Sequence, residues 1–453
     1  MAQDKQPKSY SIKDIAAEFE EAFPDIKDHI TILDPEDHDN DPTQMMESVR
    51  HLYEEEAEKK RQKALTEGNV VMQKAVSDKE RFIESYVTLR TLNLVGNLTL
   101  GSPCAAITGL DDDIEHMGGA HRIVYGGNSD LTFDDIAWRL MSTISTNALA
   151  SMMPEYKDDL KERMKGKYIL PDELNNAEML RNFVLDHELG HAATAHLLPK
   201  TKALSEDVVQ HWECIADSYA LIRHYQRYGE DSAFGEHWSA FRSAAAVLTP
   251  DPAHWTSEAM QEVMDMNKQG LLTDLSPQEA IDLAMEIAEK HSFGLDESPN
   301  IKNAFDTSPL RDAFAETAGK AAKKKLGKLW NKVTQKEPVN DNSDEDEESF
   351  LQRVEEATLR KAVERLENTT ETIDKIGNIA LDTKSSAVYR VASHFLNTID
   401  KLWPDVDKNL LSTVQRVVAN RRDIPTDEPQ RSIAKRAVHN LRTKKIRKKF
   451  GNG

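Results

Sequence analysis

The sequence predicts a mainly α protein, α+β at most, with a small edge sheet in its core and helical regions at both ends. Three observations carry this. Apolar residues recur at three- and four-residue intervals through most of the chain. One short run alone has strand composition between glycine pairs. At 453 residues the chain can bury a substantial core and hold two or three domains, and no internal repeat is visible.

Residues 1–90 read as an N-terminal acidic helical region, in which Ile12, Ile15, Ala16, Phe19 and Phe23 share one helix face. Residues 34–42 are rich in oxygen ligands but fail the EF-hand pattern. Pro42 stands where the loop needs glycine and Ser48 where it needs a bidentate Glu, so a solvated loop is expected. Residues 45–89 read as a long, charged helical stretch.

A core region spans residues 91–333. Its strand candidate is 121–125, between Gly118-Gly119 and Gly126-Gly127. Residues 131–153 have helical character, with Asp134 and Asp135 near the start suiting the helix dipole. From Ala177 through His196 no proline interrupts a helix, and Pro199 stops it. Residues 238–248 and 277–291 also look helical, the latter with Ser276 as cap and Pro277 in its first turn. Residues 334–349 contain Asp344-Glu345-Asp346-Glu347-Glu348 and read as an acidic linker that stays solvated. Beyond it, residues 350–430 read as a helical bundle or hairpin and residues 431–453 as a basic tail.

Composition narrows the function classes. The chain is 30% charged and 39% hydrophobic, and no apolar run approaches the roughly 20 residues of a membrane span. Residues 92–110 come nearest, but Asn93, Gly96, Asn97, Gly101 and Pro103 break them. A polar start and only two cysteines, Cys104 and Cys214, point to a cytoplasmic protein in a reducing compartment, with signal-independent export left open. A net charge of −20 argues against a nucleic-acid binder. Two basic stretches, 320–332 and 431–453, are candidates to hold an acidic partner or an anionic surface, or are solvated faces only.

The chemistry concentrates in His187-Glu188-Leu189-Gly190-His191. On a helix, positions i and i+4 lie on one face, so both imidazoles can reach one metal ion while Glu188 contacts a water on it without being a ligand. Such a short pattern also arises by chance, leaving a surface helix with two unconnected histidines as the alternative. Glu213 and Asp217 shift that balance. If 205–225 is helical they share a face, so Glu213 can complete the ligand set and Asp217 can accept a hydrogen bond from a ligand histidine.

These residues, with the run Glu213-Cys214-Ile215-Ala216-Asp217-Ser218-Tyr219-Ala220, resemble the gluzincin metallopeptidases over about residues 177–225. The Leu-Gly and Ala-Asp details are similar to the branch of heat-shock-induced and prenyl-protein-processing proteases. The resemblance implies a zincin-like core with two motif helices, and one Zn²⁺ per chain on His187, His191 and Glu213. It also implies Glu188 as general base on protein or peptide substrates, and Asp217 as the orienting carboxylate. It further implies an edge strand that binds substrate backbone, a role assigned here to 121–125. For the oxyanion donor, Tyr125 is preferred over Tyr219, His211, His121, His116 and His196, among which spacing does not choose. A non-enzymatic helical scaffold, and a regulator cleaving one protein partner, are the competing expectations.

Overall fold

The computed structural model describes residues 9–98, 103–109, 121–133, 135–136, 174, 176–195, 205–229, 231–248, 251–294, 297–305, 376–380 and 382–402. The described chain is mainly helical with one three-stranded sheet. The strands are β1 (Ile30–Leu33), β2 (Ala105–Gly109) and β3 (Arg122–Gly126), in the order β1-β3-β2. β3 pairs parallel to β1, with Ile32 opposite Val124, and antiparallel to β2, with Ile107 opposite Val124. Side chains alternate across a strand, so the sheet has two working faces. Ile30, Ile32, Ala105, Ile107 and Val124 join the main core, whereas Leu33, Ile123 and Tyr125 join a second, smaller one.

β3 was expected to be an edge strand; it is the central one. Both its edges carry ladder hydrogen bonds, so no substrate backbone can add to it. Among the described residues the open edges belong to β1 and β2. Four- and five-residue strands among long helices give little alternation to read, which is why β1 and β2 are inconspicuous in the sequence.

Of the N-terminal helices α1 (Ile12–Ala22), α2 (Pro42–Ser48), α3 (Arg50–Glu67), α4 (Val70–Ala75) and α5 (Lys79–Gly96), it is α2, α3 and α5 that close the second core, supplying Met45, Met46, Tyr53, Val87 and Leu94. The helical stretch expected over 45–89 is helical and divided into four helices. Val49 separates α2 from α3, and Gly68 and Asn69 end α3, with the Asn69 side chain capping α4 at Val71 and Met72. Asp78 then caps α5 at Arg81, so α3 and α5 pack against each other as a hairpin. The acidic loop before α2 is a capped turn. Asp34 accepts from the Glu36 amide, Asp41 from the Thr43 amide, and Asp39 and Asn40 take left-handed φ values of 52° and 56°.

The main core is built on α6 (Ala177–Thr194), α7 (Glu206–Tyr228), α8 (Phe234–Leu248), α9 (Ser257–Asn267), α10 (Pro277–His291), α11 (Glu297–Phe305) and α12 (Ser386–Leu402). The cap expected at Ser276 is present as a full capping box with Glu279. α6 lies on the sheet and against α7; α7 packs on α9 and α10; α8 packs on α9 and α12.

The first and last described helices, α1 and α12, both enter this core. Ile12, Ile15, Phe19 and Phe23 are buried in it. Ser9 Oγ and the Tyr10 amide hydrogen-bond to Glu178 at 2.7 and 2.9 Å, and Glu18 pairs with Arg223 and Arg227 of α7. Toward the C-terminus, α12 buries Val388, Val391, Phe395, Leu396 and Ile399. His394 Nε2 lies 3.1 Å from Ser239 Oγ on α8. Segments read as separate N- and C-terminal regions thus share the core of the motif helices. The expected helix over 131–153 lies largely outside the described residues. The acidic linker, both basic stretches and the helical spacing before residue 376 lie outside them entirely. No described helix is long and apolar enough to cross a membrane.

Two outcomes test this architecture. Phe395 is fully buried on α12, so Phe395→Ala should lower unfolding free energy by about 3–5 kcal/mol in denaturant titrations; a loss below 1 kcal/mol would detach α12 from the core. His224 is buried among Phe183, Phe234 and Tyr228, and burial, with Arg227 nearby, pushes its pKa down to about 3. The folded state therefore holds it neutral, and its contribution is intact above the unfolded value of about 6.5 and is lost as pH falls from there toward 3. His224→Phe should flatten the stability–pH profile in that window, as read by thermal unfolding.

Candidate metal centre

The site begins with two helices brought unusually close. Asn176 caps α6 by accepting from the Met179 amide, Glu178 sits in the first turn, and the four-residue spacing puts His187 and His191 on one face. α7 follows with Glu206 and Asp207 in its first turn and ends at Gly229, whose φ is +98°. The motif's glycine explains the closeness: a Cβ on Gly190 would lie 3.1 Å from Ala216 Cα and 3.3 Å from Tyr219 Cδ1. Gly190 and Ala216 are thus the contact that lets Glu213 and Asp217, on α7, reach the two histidines.

His187, His191 and Glu213 form the one group among the described residues that could hold a metal ion. His187 Nε2 and His191 Nε2 are 3.1 Å apart, His191 Nε2 is 3.3 Å from Glu213 Oε1, and His187 Nε2 is 3.5 Å from Glu213 Oε2. A tetrahedral ion with bonds of about 2.0–2.1 Å sets its ligand atoms about 3.3–3.4 Å apart, close to the histidine–histidine separation and to that of each histidine from one or the other oxygen of Glu213. The donor set fits as well. Asp217 Oδ1 lies 2.9 Å from His187 Nδ1, which places the proton on that nitrogen and turns the Nε2 lone pair toward the centre.

Asp217 is fully buried and multiply held. Arg242 Nε donates to Oδ2 at 2.7 Å and its terminal nitrogen to Oδ1 at 3.0 Å, Thr256 Oγ1 donates at 2.6 Å, and Trp238 Nε1 at 3.3 Å. Burial alone would raise its pKa, but Arg242 and then His187 outweigh burial and hold the carboxyl below its ordinary range. Burial likewise acts upward on Glu213, and His191 and His187 hold it well below the usual carboxylate value. Burial depresses His187, and Asp217 and Glu213 reverse this to a raised value. Glu188 behaves differently: burial raises it, and the two histidines offset that only in part. A carboxylate biased toward holding a proton, beside the ligand group, is suited to proton transfer.

The structure brings His187, Glu188, His191, Glu213 and Asp217 together and places Tyr125 elsewhere. Tyr125 is on the sheet face turned to the second core, 2% exposed, with its hydroxyl 2.5 Å from that of Tyr53. Its neighbour Val124 is the one that faces the motif helices, by strand alternation. Of the other donor candidates, His211 Nδ1 contacts Ser292 Oγ at 2.5 Å, His121 Nε2 contacts Thr31 Oγ1 at 2.6 Å, and Tyr219 is buried beside Gly190. His116 and His196 lie outside the described residues.

The histidine that does approach is His254, in the turn Pro252–His254. Its Nε2 is 3.6 Å from Glu213 Oε1, its Nδ1 is 2.7 Å from Asp251 Oδ2, and its side chain is 41% exposed. His254, Thr256 and the α8 pair Trp238 and Arg242 lie outside the two motif helices and share no sequence periodicity with the motif. The chain matches no protein-family model, no curated protein and no solved structure.

Gly190→Val should wedge α6 from α7 and weaken metal binding at least about 100-fold, measured by chelator competition. Retained affinity would show that the helix contact does not set the ligand geometry.

Proposed function

We propose that this protein is a zinc-dependent metallopeptidase in which Glu188 is the general base. The observation that supports this most is the trio of 3.1, 3.3 and 3.5 Å separations among His187, His191 and Glu213, with Glu188 buried next to His187 and interacting electrostatically with all three. Two imidazoles and one carboxylate are a zinc ligand set that leaves a fourth position open. Zinc held there would lower the pKa of a water molecule toward about 7 and polarise a substrate carbonyl.

The chain's own residues supply the rest. Glu188 accepts the proton as water attacks the carbonyl carbon and returns it to the departing amine. Asp217 keeps His187 in the tautomer that presents Nε2. His254, with Nδ1 on Asp251 and a partly exposed ring, is placed to donate from Nε2 to the oxygen that becomes negative. The role first given to 121–125 passes to β2, the edge strand packed against α6, whose outer edge can pair with an extended peptide.

The test is zinc content and cleavage of an unbiased peptide library by the full chain. One zinc per chain is expected, with Glu188→Gln retaining the metal and losing turnover by about 10²–10⁴-fold. Metal without any cleavage would leave a metal-stabilised scaffold, and no metal at all would remove both readings.

A further inference from the structure

We infer that Trp212 is a positioning residue: its indole, pinned across the two motif helices, holds the His191 ring in the orientation that turns Nε2 toward the metal. This rests on the zinc-site reading above and deepens it, by assigning what aims the second ligand histidine.

The two histidines are not held alike. A metal-bound imidazole coordinates through one nitrogen and carries its proton on the other, which ordinarily donates to a carboxylate, a backbone carbonyl or water. His187 has such an acceptor, with Nδ1 2.9 Å from Asp217 Oδ1. His191 differs. Its Nε2 faces His187 Nε2 and Glu213 Oε1, and its Nδ1 is buried with no hydrogen-bond partner among the described residues. No described acceptor therefore fixes that ring.

What touches it instead is aromatic. Trp212, the residue before Glu213 on α7, brings its indole to 4.2 Å between ring centroids, with the planes inclined at 54°. The His187 ring lies against His191 as well, at 4.6 Å and 84°. A ring with two others this close has little room to turn about its Cβ–Cγ bond. The indole is itself anchored. Its Nε1 donates to Thr194 Oγ1 at 3.0 Å, and that hydroxyl donates its own proton to Gly190 O at 2.7 Å. Thr194 is buried on α6, three residues after His191, and Gly190 is the point where α7 comes nearest. The series Trp212, Thr194, Gly190 thus ties the aromatic wall to the backbone beside His191 itself.

Cobalt(II) in the full-length chain shifts the ring-proton signals of its ligand histidines far from the rest of the spectrum, so magnetic resonance can follow each histidine separately. Trp212→Leu should move or broaden the His191 signals, leave those of His187 in place, and lower metal affinity about 10- to 100-fold. Trp212→Phe, which keeps a ring against the imidazole, should recover most of that affinity. Thr194→Val, which removes the anchor, should resemble Trp212→Phe, and the two changes together should cost little more than either alone. Unmoved His191 signals and unchanged affinity in Trp212→Leu would overturn the inference while leaving the peptidase reading intact. So would equal movement of both histidines' signals, the mark of a general loosening of α6 against α7. Should the variants fail to fold, the unaltered zinc-loaded chain decides: a nuclear Overhauser contact between the His191 ring and the Trp212 indole is expected, and its absence overturns the inference. An unaltered chain that takes up no metal would instead remove the peptidase reading, and this inference with it.

Discussion

One buried carboxylate, Asp217, ties together every element that builds the site. It receives hydrogen bonds from α6 through His187, from α8 through Trp238 and Arg242, and from the start of α9 through Thr256. A charge buried this completely is tolerated because its neighbours satisfy it, and those neighbours are thereby fixed in turn. The metal face of α6 and the guanidinium of α8 are positioned by the same group. Replacing it would strand a buried arginine and release the tautomer of a ligand histidine in one step.

The rest of the fold serves to keep α7 where Asp217 can do this. Gly190 against Ala216 sets the distance between α6 and α7. Asp186 on α6 pairs with Arg227 on α7, and Arg223 and Arg227 reach Glu18 on α1, so the N-terminal helix clasps the far end of the same pair. On the other side α12 covers α8. Segments remote in sequence brace the metal face from behind, and Arg390 and His394 of α12 grip Trp255, the residue after His254. The arrangement of the candidate ligand set thus depends on the whole described core, and its central interaction, Arg242 with Asp217, is buried, where geometry counts most.

Helices were legible because their signals are local: the cap at Ser276, apolar spacing along Ile12–Ala22, Pro277 at a first turn. The strand at 122–126 was legible from its glycine brackets, but its place in the sheet was not, since pairing depends on β1, about ninety residues earlier, and on β2. The helical stretch read over 45–89 is interrupted at Gly68-Asn69 and at Asp78, where capping side chains outcompete continuation.

What the sequence determined by itself is the set whose geometry a single helix dictates: His187 and His191 on one face with Glu188 beside them, and Glu213 with Asp217 on the face of another helix. A period of 3.6 residues places such side chains together before any packing occurs. Only the tertiary structure decided that the two faces meet within hydrogen-bonding distance, that Arg242 and His254 join them, and that Tyr125 turns to a different core. Those outcomes depend on helix–helix approach and strand pairing between distant segments, and no local periodicity encodes them.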